Sequence, residues 1–195
     1  MRYLRLYQTL AEQTADKGNL VKPYVLYTKE NKTVTYMPQV IDFKDALIKA
    51  WCVENFDTDK DGDVSYVEAK KVTGIPNTFP KKATSFDEFQ YFTSVTTIGK
   101  EAFSDCRVLS SITLPNSVTS IGENTFKYGG LRKITIPNSV TSIGQFAFEL
   151  CRRLSTIEFQ GTIAQWKSIS KGWNWNIDIP STTVITCTDG ETPMD

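Results

Sequence analysis

The stretch LSSITLPNSVTSIG, residues 109–122, decides the fold, because it returns as LRKITIPNSVTSIG at residues 131–144, an offset of 22 residues. A weaker third copy begins at Leu154 and carries Trp166 in place of the Ile that precedes Gly in the motif. Upstream, Val95 and Ile98 supply the tail of an incomplete copy. Repeats of this length are typical of stacked supersecondary units, so the sequence predicts a solenoid over about residues 94–168.

Each copy has the pattern of one coil of such a stack. Apolar and polar residues alternate over the Ile-Thr-Leu segment, as in a short strand with one buried face, and a proline ends it. Phe103, Phe126 and Phe148 lie at equivalent positions in successive copies and are expected in the core. A single coil cannot bury its own inner face, so the stack needs a cap at each end.

Two of the four cysteines follow the same repeat. Cys106 and Cys151 precede Leu109 and Leu154 by three residues, in coils separated by one that has no cysteine. Two coil steps place their backbones about 10 Å apart, whereas a disulfide needs Cα atoms within about 7 Å. We therefore expect two buried, reduced thiols.

The copies of P-N-S-V-T-S-I-G-x-x-x-F and the Cys-x-x-Leu segment resemble the leucine-rich repeat 5 subfamily, the BspA-like repeats of surface proteins from anaerobic bacteria. The second coil departs from this pattern, because Lys127 to Gly130 is one residue short and lacks the cysteine. The resemblance implies a non-enzymatic, adhesin-like role in protein interaction and a location outside the cell or on its surface. The sequence given shows no export signal, since polar residues interrupt any apolar run after Arg5.

A second motif precedes the repeats. Residues 57–68 read DTDKDGDVSYVE and fit the calcium-loop pattern D-x-[DN]-x-[DN]-G-x₅-E at every position. Ca²⁺ takes roughly six to eight oxygen ligands, so the loop must fold short carboxylates inward and close with a longer one. The predicted ligands are the side chains of Asp57, Asp59, Asp61 and Glu68, the Asp63 backbone carbonyl, and Ser65 directly or through water. Five acids and one lysine leave a net charge of about −4 on these twelve residues, and because the carboxylates repel one another without a cation, we expect a structural Ca²⁺.

The flanks of the loop predict helices over residues 43–56 and 65–72. Residues 84–88 match residues 64–68 at an offset of 20, which we interpret as a degenerate, metal-free partner loop whose Thr84 pairs with Val64. Ser85 and Glu88 form a capping-box pattern that predicts a helix over residues 86–92. One intact loop beside one degenerate loop resembles EF-hand pairs and dockerin-like modules.

The predicted fold class is therefore α+β, in four parts. An N-terminal β-rich segment, residues 1–40, contains a hairpin from Tyr24–Tyr27 and Thr33–Tyr36. An EF-hand-like calcium-binding helical cap, residues 41–93, precedes the leucine-rich-repeat solenoid, residues 94–168. A C-terminal cap follows at residues 169–195.

Composition excludes several classes of function. Lys and Arg number 22, Asp and Glu also 22, and histidine is absent, so the formal charge is zero. A neutral chain lacks the field that drives nucleic-acid binding, and without imidazole the Ser-His and Cys-His nucleophile pairs are excluded. No apolar run approaches the roughly 20 residues that span a bilayer, so we expect no membrane insertion.

Two binding hypotheses remain, and an enzyme is the weaker third. The first is a calcium-stabilised module that presents the strand face of its solenoid to a protein partner; the outward positions of that face are Ser111, Thr113, Lys133, Thr135, Thr156 and Glu158. The second is a carbohydrate-binding surface that uses the C-terminal tryptophans and requires Trp173 and Trp175 to be exposed side by side. The alternative, favoured because Trp166 replaces a core Ile, is that Trp166, Trp173 and Trp175 cap the hydrophobic end of the stack. A glycosidase would need two carboxylates across a cleft, and the clustered acids are already assigned to the metal.

Overall fold

The computed structural model describes residues 24–27, 34–37 and 39–194. Most of the predicted segment 1–40 therefore lies outside the described residues. Its hairpin is confirmed: strand β1, Tyr24–Tyr27, pairs antiparallel with β2, Val34–Met37, with Tyr24 opposite Met37.

The remaining elements alternate short strands with three short helices. In chain order they are α1 Ala46–Phe56, α2 Tyr66–Ala69, β3 Ser85–Phe86, a 3₁₀ helix Asp87–Tyr91, β4 Thr97–Ile98, β5 Ser111–Thr113, β6 Ser120–Ile121, β7 Lys133–Ile136, β8 Ser142–Ile143, β9 Thr156–Phe159, α3 Ile163–Ser168, β10 Ser170–Lys171, β11 Val184–Cys187 and β12 Gly190–Pro193. In the part of the chain that the structure describes, no helix has both the length and the apolar character needed to cross a membrane.

Two sheets form opposite sides of a solenoid, which confirms the predicted repeat architecture. The larger sheet has the order β12-β11-β9-β7-β5-β3 and the smaller one β10-β8-β6-β4, and every pairing except β11 with β12 is parallel. The register places Ile112 beside Ile134 and Ile134 beside Ile157. Because equivalent isoleucines stack from coil to coil, each coil buries the apolar face of its neighbour. The parallel pairing also continues beyond both ends of residues 94–168, to β3 on one side and to β10 and β11 on the other.

Turn segments form a third side of the solenoid. Here the backbone N–H of Phe103 donates to Thr125 O at 2.9 Å, and that of Phe126 donates to Ala147 O at 2.8 Å. The Phe103 and Phe126 rings stack with centroids 5.4 Å apart, and Phe126 and Phe148 with centroids 5.1 Å apart. This phenylalanine column is fully buried and runs through three successive coils.

The N-terminal end of the column is covered by residues 39–92. Helix α1 buries Ile48, Trp51, Cys52 and Phe56, which share one face of the helix. Trp51 contacts Phe79 and Phe86 edge to face, with centroids 5.4 and 6.3 Å away. The apolar surface of the first coil is thus sealed by aromatic side chains.

The structure corrects the degenerate-loop interpretation. Val64 pairs with the chain that enters the cap, because Ile41 N donates to Val64 O at 2.8 Å, and Ser65 bridges to Val40. Thr84 does not pair with Val64. The predicted helix 86–92 is also wrong at its start, since Phe86 belongs to β3, which pairs with β5 as the first strand of the large sheet.

Helix boundaries differ from the expected ones for local reasons. Helix α1 begins at Ala46 because the side chain of Asp45 accepts hydrogen bonds from the backbone N–H groups of Leu47 and Ile48. The second predicted helix, 65–72, is a single turn, Tyr66–Ala69, followed by a turn.

Candidate functional site

The acidic loop folds around the first of its carboxylates. Asp57 follows the last residue of α1, and its Oδ1 accepts from Lys60 N at 2.6 Å while its Oδ2 accepts from Gly62 N at 3.0 Å. Gly62 has a φ of 89°, a left-handed conformation that favours glycine. The spacing of the motif therefore produces a turn that wraps its own backbone around Asp57.

Three of the predicted ligands converge. Carboxylate oxygens of Asp57, Asp59 and Asp61 lie within 4.8 Å of one another. Partial removal from water raises the pKa of Asp59, and the charges of Asp61, Glu68 and Asp57 raise it further, against one hydrogen bond from the Asp61 backbone. This crowding of like charges is the electrostatic condition that a divalent cation relieves.

Glu68 and Ser65 join the two ends of the loop. Glu68 Oε1 accepts from Thr58 N at 2.7 Å and from Thr58 Oγ1 at 2.9 Å. Its Oε2 accepts from Ser65 N and Ser65 Oγ, both at 2.9 Å, while Ser65 Oγ accepts from Glu68 N, which completes a capping box.

These bonds determine the charge state of Glu68. Burial alone would raise the pKa of Glu68, but the donors of Ser65 and Thr58 outweigh it and lower the pKa to about 2. The carboxylate at the closing position is therefore ionised, as a cation ligand must be.

Asp63 is directed differently. Its side chain forms an ion pair with Lys49 of α1, Nζ to Oδ1 at 2.6 Å, so the side chain is engaged outside the acidic triplet. This is compatible with the predicted use of its backbone carbonyl. The donor set of the loop consists of oxygens, which suits a hard cation.

The outward face of the large sheet is a second candidate surface, and its polar groups are largely paired with one another. Ser111 Oγ and Thr113 Oγ1 donate to Asp87 at 3.3 and 3.4 Å. Lys133 Nζ lies 2.6 Å from Glu158 Oε1, and Thr135 Oγ1 donates to Glu158 at 3.2 Å. A shallow depression lies over this face, and Asp87 is the one acid among the described residues that line it.

The structure does not form the exposed tryptophan platform that the carbohydrate hypothesis requires. Trp173 is 71% exposed and packs edge to face on Phe146, but Trp175 is 5% exposed and Trp166 1%. Trp166 and Trp175 contact each other inside the C-terminal end of the stack, with centroids 6.0 Å apart. The paired, exposed rings that the carbohydrate hypothesis required are therefore absent from the described residues.

Sequence reasoning missed the contacts that two acids, Asp45 and Glu88, make within the cap. Asp45 Oδ2 accepts from Thr84 N at 2.7 Å and from Thr84 Oγ1 at 2.8 Å, so Asp45 links α1 to the strand that opens the large sheet. Burial raises the pKa of Asp45, but these donors and those of α1 lower it overall. Glu88 is 4% exposed and its Oε1 accepts from Lys44 N at 3.2 Å. The sequence offered a signal only for Asp45, because an Asp directly before an apolar helical pattern is typical of a helix N-cap.

Both predicted thiols are buried, as expected. Cys151 Sγ donates to Phe126 O at 3.0 Å and lies beside Gly129, which occupies the cysteine position in the intervening coil. Burial raises the pKa of Cys106 to about 11 and that of Cys151 to about 12. These sulfurs fill core space and are poor nucleophiles.

Comparison with known proteins gives one match that covers more than half of the chain. Residues 73–184 match a family described as BspA type leucine rich repeat region, in six copies. Among solved structures, a leucine rich cell surface protein from Faecalibacterium prausnitzii A2-165 is similar at 25% identity, with a TM-score of 0.23. That match covers 47% of this chain and 36% of the other, so it spans about a third of that protein. A search of curated proteins found no match.

Proposed function

The chain belongs to the BspA-type leucine-rich repeat family, and from that premise we propose that it is a non-enzymatic, adhesin-like module that binds a protein partner and is stabilised by Ca²⁺. The observation that carries the proposal is the repeat itself, which lines up equivalent outward positions on β5, β7 and β9. Solenoids use such extended faces for recognition.

The chemistry of the described residues favours binding over catalysis. The acids of the large-sheet face are occupied by hydroxyl and lysine partners. The four cysteines are buried. A surface of paired polar groups around a rigid stack is suited to contact a partner through shape and hydrogen bonds.

The Ca²⁺ part of the proposal rests on the acidic loop. Asp57, Asp59 and Asp61 would hold the ion with Glu68 and the Asp63 carbonyl, and Ser65 would act at the ninth position. The ion would supply the positive charge that offsets the carboxylate repulsion. Because the loop connects α1 to α2, an ordered loop would stabilise the cap.

Cross-linking tests the interaction part. A photo-cross-linking residue at Thr113, on the large-sheet face, is compared with one at Thr141, which is exposed beside the small sheet. With extracellular matrix proteins as the probe, we expect discrete adducts from position 113 and few from position 141. Equal yields from both positions, or none, would contradict recognition through this face.

Thermal melting during a Ca²⁺ titration tests the metal part. At a hundredfold excess over Kd, binding stabilises the folded state by about 2.7 kcal/mol, which raises the Tm by roughly 5–10 °C for a chain of this size. Asp57→Ala should abolish the shift, and Asp42→Ala, an exposed acid of the same cap outside the loop, should retain it. Identical melting with and without Ca²⁺ in the unmodified protein would refute the structural ion.

A further inference from the structure

A group of arginines surrounds the shortened middle coil of the stack, at the corner where the turn segments meet the large sheet. We call this surface the arginine notch; it consists of Gly129 and Gly130 with Arg107, Tyr128, Arg132, Arg152 and Arg153. All four arginines are exposed. Neither the family match nor the proposed recognition face includes this corner as a site.

The middle coil carries no side chain at Gly129 and Gly130, and at Gly130 its backbone packs directly against the preceding coil. Gly130 N donates to Cys106 O at 2.9 Å, and a Cβ on Gly130 would lie 2.0 Å from Arg107 O. A Cβ on Gly129 would lie 2.7 Å from Phe126 O. The coils are therefore so close here that only glycine fits, and the coil is one residue shorter than its neighbours.

Exposed arginines lie on the coils on both sides of this close contact. Arg107 follows Cys106 in the first coil and Arg152 follows Cys151 in the third, so the two occupy equivalent positions on either side of Gly130. With about 4.8 Å per coil, their backbones lie about 10 Å apart. Arg132 is in the middle coil, and its carbonyl accepts from Ser155 N at 2.9 Å, two residues beyond Arg153.

The charge of the notch is not neutralised locally. Among the described residues, the ion pairs include none that involves Arg132, Arg152 or Arg153. Arg107 pairs with Asp105 at 3.0 Å, but both side chains are largely exposed, and such pairs contribute little. The chain as a whole is neutral, so this excess of positive charge is a local feature.

Tyr128 adds an aromatic surface to the notch. It is 38% exposed, and the Arg107 guanidinium carbon lies 5.6 Å from its ring centroid. Val108, beside Arg107, is 48% exposed. Arginine and tyrosine are enriched at the centres of protein interfaces, where they supply charge and apolar area together.

We propose that the arginine notch binds an extended, acidic segment of a protein partner. The segment would cross the middle coil and place carboxylates against Arg107 on one side and Arg152 on the other. In a polyproline II segment, about three residues per turn and a rise of about 3.1 Å per residue place side chains three residues apart on the same face, about 9 Å from each other, close to the separation of about 10 Å. Guanidinium groups bind carboxylates in a bidentate manner, which favours this partner chemistry. The inference rests on the proposed protein-binding function and names the chemistry of the partner.

Fluorescence anisotropy with synthetic peptides tests the notch. The probe is a labelled Glu-Ser-Ser-Glu-Ser-Ser-Glu peptide, with Gln-Ser-Ser-Gln-Ser-Ser-Gln as its neutral control. We expect the acidic probe to bind and the neutral one to bind at least tenfold more weakly. Arg152→Gln/Arg153→Gln should weaken binding of the acidic probe at least tenfold, whereas Lys70→Gln/Lys71→Gln, which removes the same charge from exposed positions of the cap, should change it less than twofold.

Equal losses in the two double variants, or none in the arginine variant, would overturn the proposal. A single-stranded oligonucleotide of equal charge is a further arm, and binding as tight as that of the peptide would show a general polyanion site instead. The outcome is separable from that of the proposed function. If a matrix protein cross-links at position 113 equally well in the unmodified protein and in the Arg152→Gln/Arg153→Gln variant, the proposed function stands and the notch is refuted. If the acidic peptide binds at the notch but no matrix protein cross-links at position 113, the notch stands and the proposed function is refuted.

Discussion

Phe126→Ala is the most direct test of the stack, because Phe126 is the central ring of the phenylalanine column. It is 1% exposed and lies between Phe103 and Phe148, with centroids 5.4 and 5.1 Å away. Coils on both sides depend on this ring, so the substitution should leave a cavity that local rearrangement cannot fill.

The expected cost follows from these contacts. Burying a phenylalanine side chain stabilises by about 1.5–3 kcal/mol, and each aromatic pair adds about 0.5–1.5 kcal/mol. With two pairs, the sum is about 4 kcal/mol, inside the range of about 3–5 kcal/mol for Phe→Ala in cores. For a chain of this size, the Tm should fall by roughly 8–16 °C.

Urea unfolding followed by tryptophan fluorescence and by circular dichroism measures this loss. The control is Tyr128→Ala, two residues later in the same coil and 38% exposed, for which we expect about 1 kcal/mol. A loss below about 1 kcal/mol for Phe126→Ala, or equal losses for both variants with unchanged m, would refute the continuous column.

Three further outcomes follow from the structure. Gly130→Ala should destabilise by about 3 kcal/mol because of the 2.0 Å contact with Arg107 O, whereas Gly99→Ala, with no atom within 4 Å, should not; urea unfolding compares them. Because the pKa of Glu68 falls from 4.5 to about 2 on folding, its stabilisation is complete above about pH 4.5 and is lost towards pH 2, so Glu68→Gln should flatten that acid limb in pH-dependent unfolding. All four buried thiols should resist a thiol reagent at pH 8 until urea unfolds the chain, and rapid native reaction of Cys106 would contradict its burial.

The sequence motif predicted part of the candidate site, and the rest depended on the tertiary structure. The spacing of Asp57, Asp59 and Asp61 was enough to predict that they converge, because Gly62 and the short side chains determine the turn locally. The partners of Glu68 and Asp63 were not predictable in the same way. Thr58, within the loop, and Lys49, on α1, become neighbours only through the way the loop closes on the helix.

The sequence alone determined the solenoid, the phenylalanine column and the burial of the two equivalent cysteines. These depend on a repeat, and a repeat forces equivalent residues into the same surroundings in each coil. The tertiary structure decided what happens where the repeat stops. Ser85 and Phe86 resemble a helix start, yet they form a strand because the first coil offers them an open sheet edge. Trp173 and Trp175 are two residues apart, but the turn leaves Trp173 exposed and buries Trp175 in the core. At the end of the stack, which side chain is buried depends on contacts with the preceding coil, and these are set by the tertiary structure.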